Sequence, residues 1–351
     1  MKIKEFIKKN NLENSFLIGY YGGGNLGDEL LLEIMQNLFF EAGYKKIKIL
    51  YFNLKRFTIY HKDFGFIAIH LKEKYKVLKS FFNSKNIVVG GGGLWGLDFG
   101  LKVFIFSFII FFCRFFLFKK VYFFGVGYYK STTFLGHIGA FLASVGASHI
   151  YARDEESYKN FRRFNKKVSI ERDMAFYLSE INLNKYTEDV ARIEQDIRIE
   201  QPVMVVCFRR FTGKHANDYT KLITEVIEKY QNQRFILSIF EPKDIDPEGY
   251  SYISNLKTKL SNVQTITDFQ YNPVSVYLFF KKYSTNITLI APQFHAEIIA
   301  YLSGIPFLPL SYDNKNTELL HSLNIEPVYI KTLKLVDIET FLITNNKLIM
   351  L

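Results

Sequence analysis

Short apolar runs alternate with amphipathic stretches along almost the whole chain. Phe16 to Tyr20 reads as a strand, followed by a glycine-rich turn and a helix from about Asp28 to Ala42 that Gly43 ends. Ile47 to Tyr51, Asn86 to Val89, Val121 to Phe124 and His149 to Tyr151 continue as short strands rich in β-branched and aromatic residues, with helical stretches between them. A polar, charged interval at 182–201 then interrupts the pattern, and the alternation restarts. Val203 to Phe208, Arg234 to Ile239, Val263 to Ile266 and Ile287 to Ala291 read as strands, and Tyr219 to Tyr230 as a helix. Strands alternating with crossover helices imply parallel sheets. The expected fold is therefore α/β: a Rossmann-like domain over 1–181, a linker at 182–201 and a second Rossmann-like domain over 202–351, with a ligand cleft between them.

One apolar run breaks the pattern of short elements. Val103 to Phe118 is almost entirely hydrophobic and is bounded by Lys102 and by Lys119 and Lys120. As a helix it falls short of the ~30 Å hydrocarbon core, and Arg114 interrupts it. Two readings stand: a helix buried against the first sheet, or a helix with one side in a membrane interface and its basic residues at headgroup level.

Composition narrows the partners. Among 351 residues, 17% are aromatic, and 45 basic against 34 acidic residues give a net charge of +11. A basic surface favours anionic ligands or acidic lipid. The basic residues are dispersed and no nucleic-acid motif is present, so nucleic acid is not an expected partner. The two cysteines, Cys113 and Cys207, make neither a disulfide framework nor a cysteine zinc site, and the seven histidines form no close pair, so no metal is expected. The first eleven residues carry four lysines without an apolar segment of signal-peptide length, and a cytoplasmic location is the default expectation.

Two glycine-rich segments are the first candidates for chemistry. Gly22, Gly24 and Gly27 fit the spacing of a dinucleotide-binding turn. Against that reading, the second strand ends Tyr51-Phe52-Asn53 without a ribose-binding acid, and Asp28 and Glu29 occupy the helix N-terminus where a pyrophosphate would sit. A loop that brings backbone to a cleft, using Gly22, Gly24, Asn25 and Asp28, accounts for the glycines better. Gly90 to Gly93 read as a second such turn after the strand Asn86 to Val89; Gly91 and Gly92 would face the cleft, and Asp98 stands at its mouth as a candidate acid or base.

These segments resemble the polysaccharide pyruvyl transferases. GYYGGGNLGDELLL resembles that family's opening turn, and VVGGGGLWGLD its second turn, ending on the family's Asp at Asp98. Arg153-Asp154 with Ser157 matches an Arg-Asp-x-x-Ser element, and Glu171 to Ala175 the Asp-containing segment after it. Cys207-Phe208-Arg209 is similar to a strand-ending Ser-Leu-Arg. Pro292 to Ala296, followed by GIPFLPLSYDNK, resembles the family's His-bearing helix start and Ser-Tyr-Asp-x-Lys turn. The resemblance spans about residues 15 to 325 and implies a GT-B-like fold that moves a pyruvyl group from phosphoenolpyruvate, a co-substrate and not a bound cofactor, to sugar hydroxyls as a cyclic ketal. It further implies a saccharide acceptor, often lipid-linked; with such an acceptor, the apolar, basic-flanked stretch Val103 to Phe118 would place the chain peripherally at the inner face of the cytoplasmic membrane.

By this resemblance His295 and Asp98 are the candidates for proton transfer. Arg209, Arg210, Lys214, Gln293 and Lys315 are the candidates to hold the anionic donor. One departure stands out: the family's Arg two residues before the His is Gln293 here, which keeps hydrogen bonding but loses the charge. Gly125-Val126-Gly127-Tyr128-Tyr129 also departs from the family's usual Gly-x-Gly-Ile-Gly-Pro. A nucleotide-sugar glycosyltransferase and a non-catalytic glycan-binding protein are the competing expectations.

Overall fold

The computed structural model describes the whole chain except residues 62–63, 96–99, 130–132, 209–213, 240–242, 245, 267–270 and 346–351, and except the side chains of 54, 59, 60 and 214–218. The chain divides into two compact units: Met1–Gly23 with Asp28–Asn182, and Gly24–Gly27 with Leu183–Leu351.

The first unit is a seven-stranded parallel sheet built from β1 (Ser15–Ile18), β2 (Lys48–Tyr51), β3 (Ile67–His70), β4 (Asn86–Trp95), β5 (Lys120–Tyr128), β6 (His149–Ala152) and β7 (Val168–Ile170), in the order β3-β2-β1-β4-β5-β6-β7. Its helices are α1 (Ile3–Lys9), α2 (Leu26–Glu41), α3 (Leu54–Tyr60), α4 (Lys74–Asn83), α5 (Gly100–Phe115), α6 (Phe134–Gly146) and α7 (Glu155–Arg162). The order reverses at β1 and β4, the switch point where α/β sheets open a crevice at their carboxyl ends. Val77 and Phe81 of α4, Val103, Ile110 and Cys113 of α5, Ala140 and Ala143 of α6, and Phe161 of α7 all pack into one core over the sheet. Right-handed crossovers running from β3 towards β7 put these four helices on the same face.

The second unit has a five-stranded parallel sheet in the order β10-β9-β8-β11-β12, from β8 (Val203–Phe208), β9 (Arg234–Ile239), β10 (Val263–Ile266), β11 (Ile287–Ile290) and β12 (Phe307–Leu308). A small parallel pair, β13 (Leu310–Ser311) and β14 (Val328–Tyr329), follows. Its helices are α8 (Thr187–Asp196), α9 (Lys214–Lys229), α10 (Pro247–Lys259), α11 (Pro273–Lys282), α12 (Phe294–Ser303), α13 (Asn314–Ser322) and α14 (Leu335–Thr344).

One expectation changes. The four glycines 90–93 are not a turn: they lie inside β4, which continues to Trp95 and stays paired with β5 through a register shift between Gly93 and Trp95. Gly91 and Gly92 have φ of 66° and 85°, so the strand is irregular where the glycines occur but does not reverse. The polar interval 182–201 carries α8, which buries Val190 and Ile193, and Glu194 accepts from Tyr283 at 2.9 Å.

The run beginning at Val103 is a helix, and its burial has a clear period. Val103, Ser107, Ile110 and Cys113 are buried, one side of α5, while Leu101, Ile105, Phe108 and Ile109 are exposed. Ser107 belongs on the buried side because its hydroxyl accepts from the Trp95 indole at 3.0 Å. No helix among the described residues is long and apolar enough to cross a membrane.

Candidate active site

In the first unit the glycine turn is anchored by the helix it opens. The Gly22 amide donates to Glu29 Oε2 at 3.1 Å, and His61 Nε2 lies 2.7 Å from the same oxygen. His61 Nδ1 lies 2.8 Å from Glu33 Oε2, one helical turn further along α2. All three side chains are essentially without solvent exposure. Burial alone would favour neutral His61, but hydrogen bonds and charge from Glu29 and Glu33 outweigh it and push the pKa from 6.5 up to about 9. At neutral pH an imidazolium therefore bridges two buried acids and fixes the carboxylate that holds the turn. Arg56 of α3 clasps the turn from outside, donating to the Gly23 carbonyl at 2.7 Å. Tyr21 reaches across to β4, its hydroxyl donating to the Gly90 carbonyl at 2.8 Å. Burial, with Asp28 and Glu29 nearby, holds that phenol well above its ordinary value, so it stays protonated.

Two cleft-loop candidates meet here. A Cβ on Gly92 would lie 3.2 Å from Asp28 Oδ1, so the first turn and the irregular part of β4 are in contact at that point. Beyond them stands an arrangement that the sequence reading named only as a motif. Arg153 donates to the Tyr129 hydroxyl at 2.6 Å and to Asp173 at 3.2 Å, and its guanidinium lies 3.5 Å from Asp154. A Cβ on Gly127 would come within 2.9 Å of Arg153 Nε, which is why β5 has glycine there. The same motif also locks structure: Asp154 caps α7 through the Ser157 amide at 2.7 Å, and the Ser157 hydroxyl accepts from the Tyr128 amide at 2.8 Å.

In the second unit His295 sits in the first turn of α12, its ring edge-on to Phe294. A Cβ on Gly27, in the Gly24–Gly27 segment of that unit, would fall 1.9 Å from His295 Nδ1. Only glycine lets the two approach so closely. Asn25 shapes the same segment by accepting from the Gly27 amide at 3.0 Å; Gly24 has φ of 88°. Gln293 caps α12 by position, but its side chain turns to the sheet. Its Nε2 donates to the Phe208 carbonyl at 3.1 Å, while its Oε1 is buried with no hydrogen-bond partner among the described residues. Glu297, one turn along α12, accepts from Asn316 at 2.9 Å, and burial pushes its carboxyl pKa well up. Lys315 pairs with Asp313 at 3.2 Å beside the Tyr312 ring.

Of the other sequence candidates, Asp98, Arg209 and Arg210 lie outside the described residues, as does the side chain of Lys214, which opens α9. No group of His, Cys, Asp and Glu among the described residues is arranged to hold a metal ion. Sequence reasoning passed over His61 and Glu33, and took Glu29 only as a charge at the helix N-terminus. The available signal was two acids four residues apart, flanking the apolar run Leu30 to Leu32, a pattern that calls for a buried cation.

The profile of the polysaccharide pyruvyl transferases matches residues 25–314, most of the chain and parts of both units. The chain belongs to that family. No curated protein matches it significantly. Its fold is similar to that of the UDP-GlcNAc 2-epimerase of Neisseria meningitidis, solved with UDP-GlcNAc, at TM-score 0.62 and 14% identity over 94% of this chain and 91% of that one. The UDP-GlcNAc 2-epimerase of Methanocaldococcus jannaschii is similar at TM-score 0.58 and 13% identity, covering 93% and 91%. The Anabaena protein Alr3699/HepE, in complex with UDP and glucose, is similar at 0.57 and 13%, covering 95% and 90%. At such identities the likeness is one of fold: GT-B-like, with two Rossmann-like domains. Within this pyruvyl transferase family member, the family-like motifs thus fall into two kinds. The Arg153-Asp154-Ser157 element is a lock between β5 and α7, whereas Gly27 and His295 meet with no structural element between them.

Proposed function

We propose that this chain transfers the pyruvyl group of phosphoenolpyruvate to two hydroxyls of a saccharide, forming a ketal and releasing phosphate. The observation that carries the reading is the family match over 25–314, together with His295 at a helix start packed on Gly27, a glycine inside the family's opening motif. A proton adds to the donor's methylene carbon, making a methyl group, and C2 takes up positive charge. A sugar hydroxyl attacks C2, the C2–O bond to phosphate breaks, and a second hydroxyl closes the ring. One hydroxyl proton balances the new methyl hydrogen and the other leaves with phosphate. His295 and Asp98 serve these proton transfers, and Arg209, Arg210, Lys214 and Lys315 offer positive charge to the donor.

Gln293 supports a particular version of this scheme. Its amide is committed to the Phe208 carbonyl, so it fixes the end of β8 immediately before Arg209 and does not itself supply charge. The donor's anionic groups then fall to Arg209 and the basic residues after it. The acceptor is read as a saccharide, in lipid-linked form.

Incubation with phosphoenolpyruvate and a diol saccharide in deuterated water tests the chemistry. The expected product is a ketal whose methyl group carries one solvent deuterium. A product lacking deuterium, or a sugar transferred from a UDP-sugar in a parallel reaction without phosphoenolpyruvate, would overturn the reading and favour a glycosyltransferase.

A further inference from the structure

On the helix face of the first sheet, α5 and the segments that end it and open α6 are apolar on the outside as well as the inside. Phe116 is 63% exposed, Phe118 83% and Phe134 77%, and Leu101 and Phe108 are exposed on α5. These are not stray residues on separate helices. Gly139 and Gly146 bring α6 hard against α5, where a Cβ would lie 3.3 Å from Phe104 Cα and 3.0 Å from Phe111 Cα. The two helices therefore form one slab, and an exposed patch of this kind marks an interaction surface.

The charge around the slab says what covers it. From Phe99 to Arg153 the sequence contains no Asp or Glu. Lys102 in the first turn of α5 and Lys120 at the start of β5 are exposed; beyond Phe141, which packs on Phe164 at 5.3 Å, come the exposed Arg162, Arg163, Lys166 and Lys167. Arg114, on α5 itself, is half-buried with an aliphatic stem long enough to keep its charge in water. A second copy of the chain would bring like charges together along this rim, whereas an anionic bilayer is attracted by it.

We propose that the α5–α6 slab docks on an anionic lipid surface, its phenylalanines entering the headgroup–acyl boundary and its rim lysines and arginines facing lipid phosphates. The helices lie on the bilayer and do not cross it, in keeping with their length and with Arg114. This surface is independent of the donor chemistry, so either can fail without the other.

Flotation of the full chain tests it, with vesicles of phosphatidylcholine alone and of phosphatidylcholine with phosphatidylglycerol. Binding is expected with phosphatidylglycerol and should weaken as salt shortens the Debye length. The variant Phe108→Ser/Phe116→Ser/Phe118→Ser should lower partition by about tenfold or more, as area burial predicts for three aromatic side chains. Because that variant changes solubility, a second, Lys120→Glu/Arg163→Glu, reads the electrostatic part alone; each lost basic residue should cost about fivefold. Absence of flotation would overturn the proposal, as would flotation that neither variant reduces. So would a dimer in light scattering that the phenylalanine variant dissociates, which would make a second copy the occupant.

Discussion

Helices α2 and α5 are both 16 residues long and both belong to the first sheet, yet they use hydrophobicity in opposite ways. From Leu26 to Phe39, α2 is buried except for half-buried Asp28, and it encloses two acids, Glu29 and Glu33. The more apolar α5 buries one stripe and leaves its other side to solvent. Hydrophobic content therefore does not rank the two by burial. What separates them is what lies opposite each residue: α2's acids have His61 and the Gly22 amide, whereas among the described residues nothing buries Phe108 and Phe115 on the outer side of α5. One helix is committed inward to holding a glycine turn. The other offers a surface outward.

The sharpest way to break this contrast is to remove the cation from α2. His61→Leu would remove the imidazolium that bridges the two buried acids Glu29 and Glu33 and should cost about 3–5 kcal/mol in urea unfolding. Adding Glu33→Leu should recover part of that loss, because the second acid no longer needs a partner. On α5 the buried stripe should behave as core: Ile110→Ala is expected to cost about 2–5 kcal/mol by the same measurement.

A pH series separates the α2 contact from simple packing. The folded-state pKa of His61 is raised, from 6.5 to about 9, so its contribution is complete below about 6.5 and fades as pH rises through about 9. Unfolding midpoints measured from roughly pH 6 to pH 10 should fall at the alkaline end in the native chain, and this component of the fall should be missing from His61→Leu. The smallest effect belongs to the outer side of α5. Phe108→Ser should change stability by no more than about 0.5 kcal/mol, since its side chain is largely in water in the isolated chain.

Most of the strands were legible because β-branched runs and turn residues mark them locally, but their order in the sheets was not. Gly90 to Gly93 misled for a physical reason: glycine signals a backbone that departs from regular φ, and in β4 that departure is an irregular strand and not a reversal. His295 was a candidate from its motif. Its close approach to Gly27, a residue 268 positions earlier, leaves no local trace. The same applies to His61, 32 residues from Glu29, and to Arg153, whose guanidinium is held by Tyr129 and Asp173 from neighbouring strand ends. For the apolar run, periodicity distinguished an inner stripe from an outer one only once Trp95 showed which side Ser107 faces.

The family assignment makes donor chemistry the central claim, and phosphate release from phosphoenolpyruvate in the presence of a diol saccharide tests it most directly. The native chain should release phosphate only when the acceptor is present. His295→Ala should lower that rate by roughly 10²–10⁴-fold while leaving the unfolding midpoint in place. Gly27→Ala, whose new methyl would collide with the imidazole, should follow it. Near-native turnover by His295→Ala, or no acceptor-dependent phosphate from the native chain, would contradict the account.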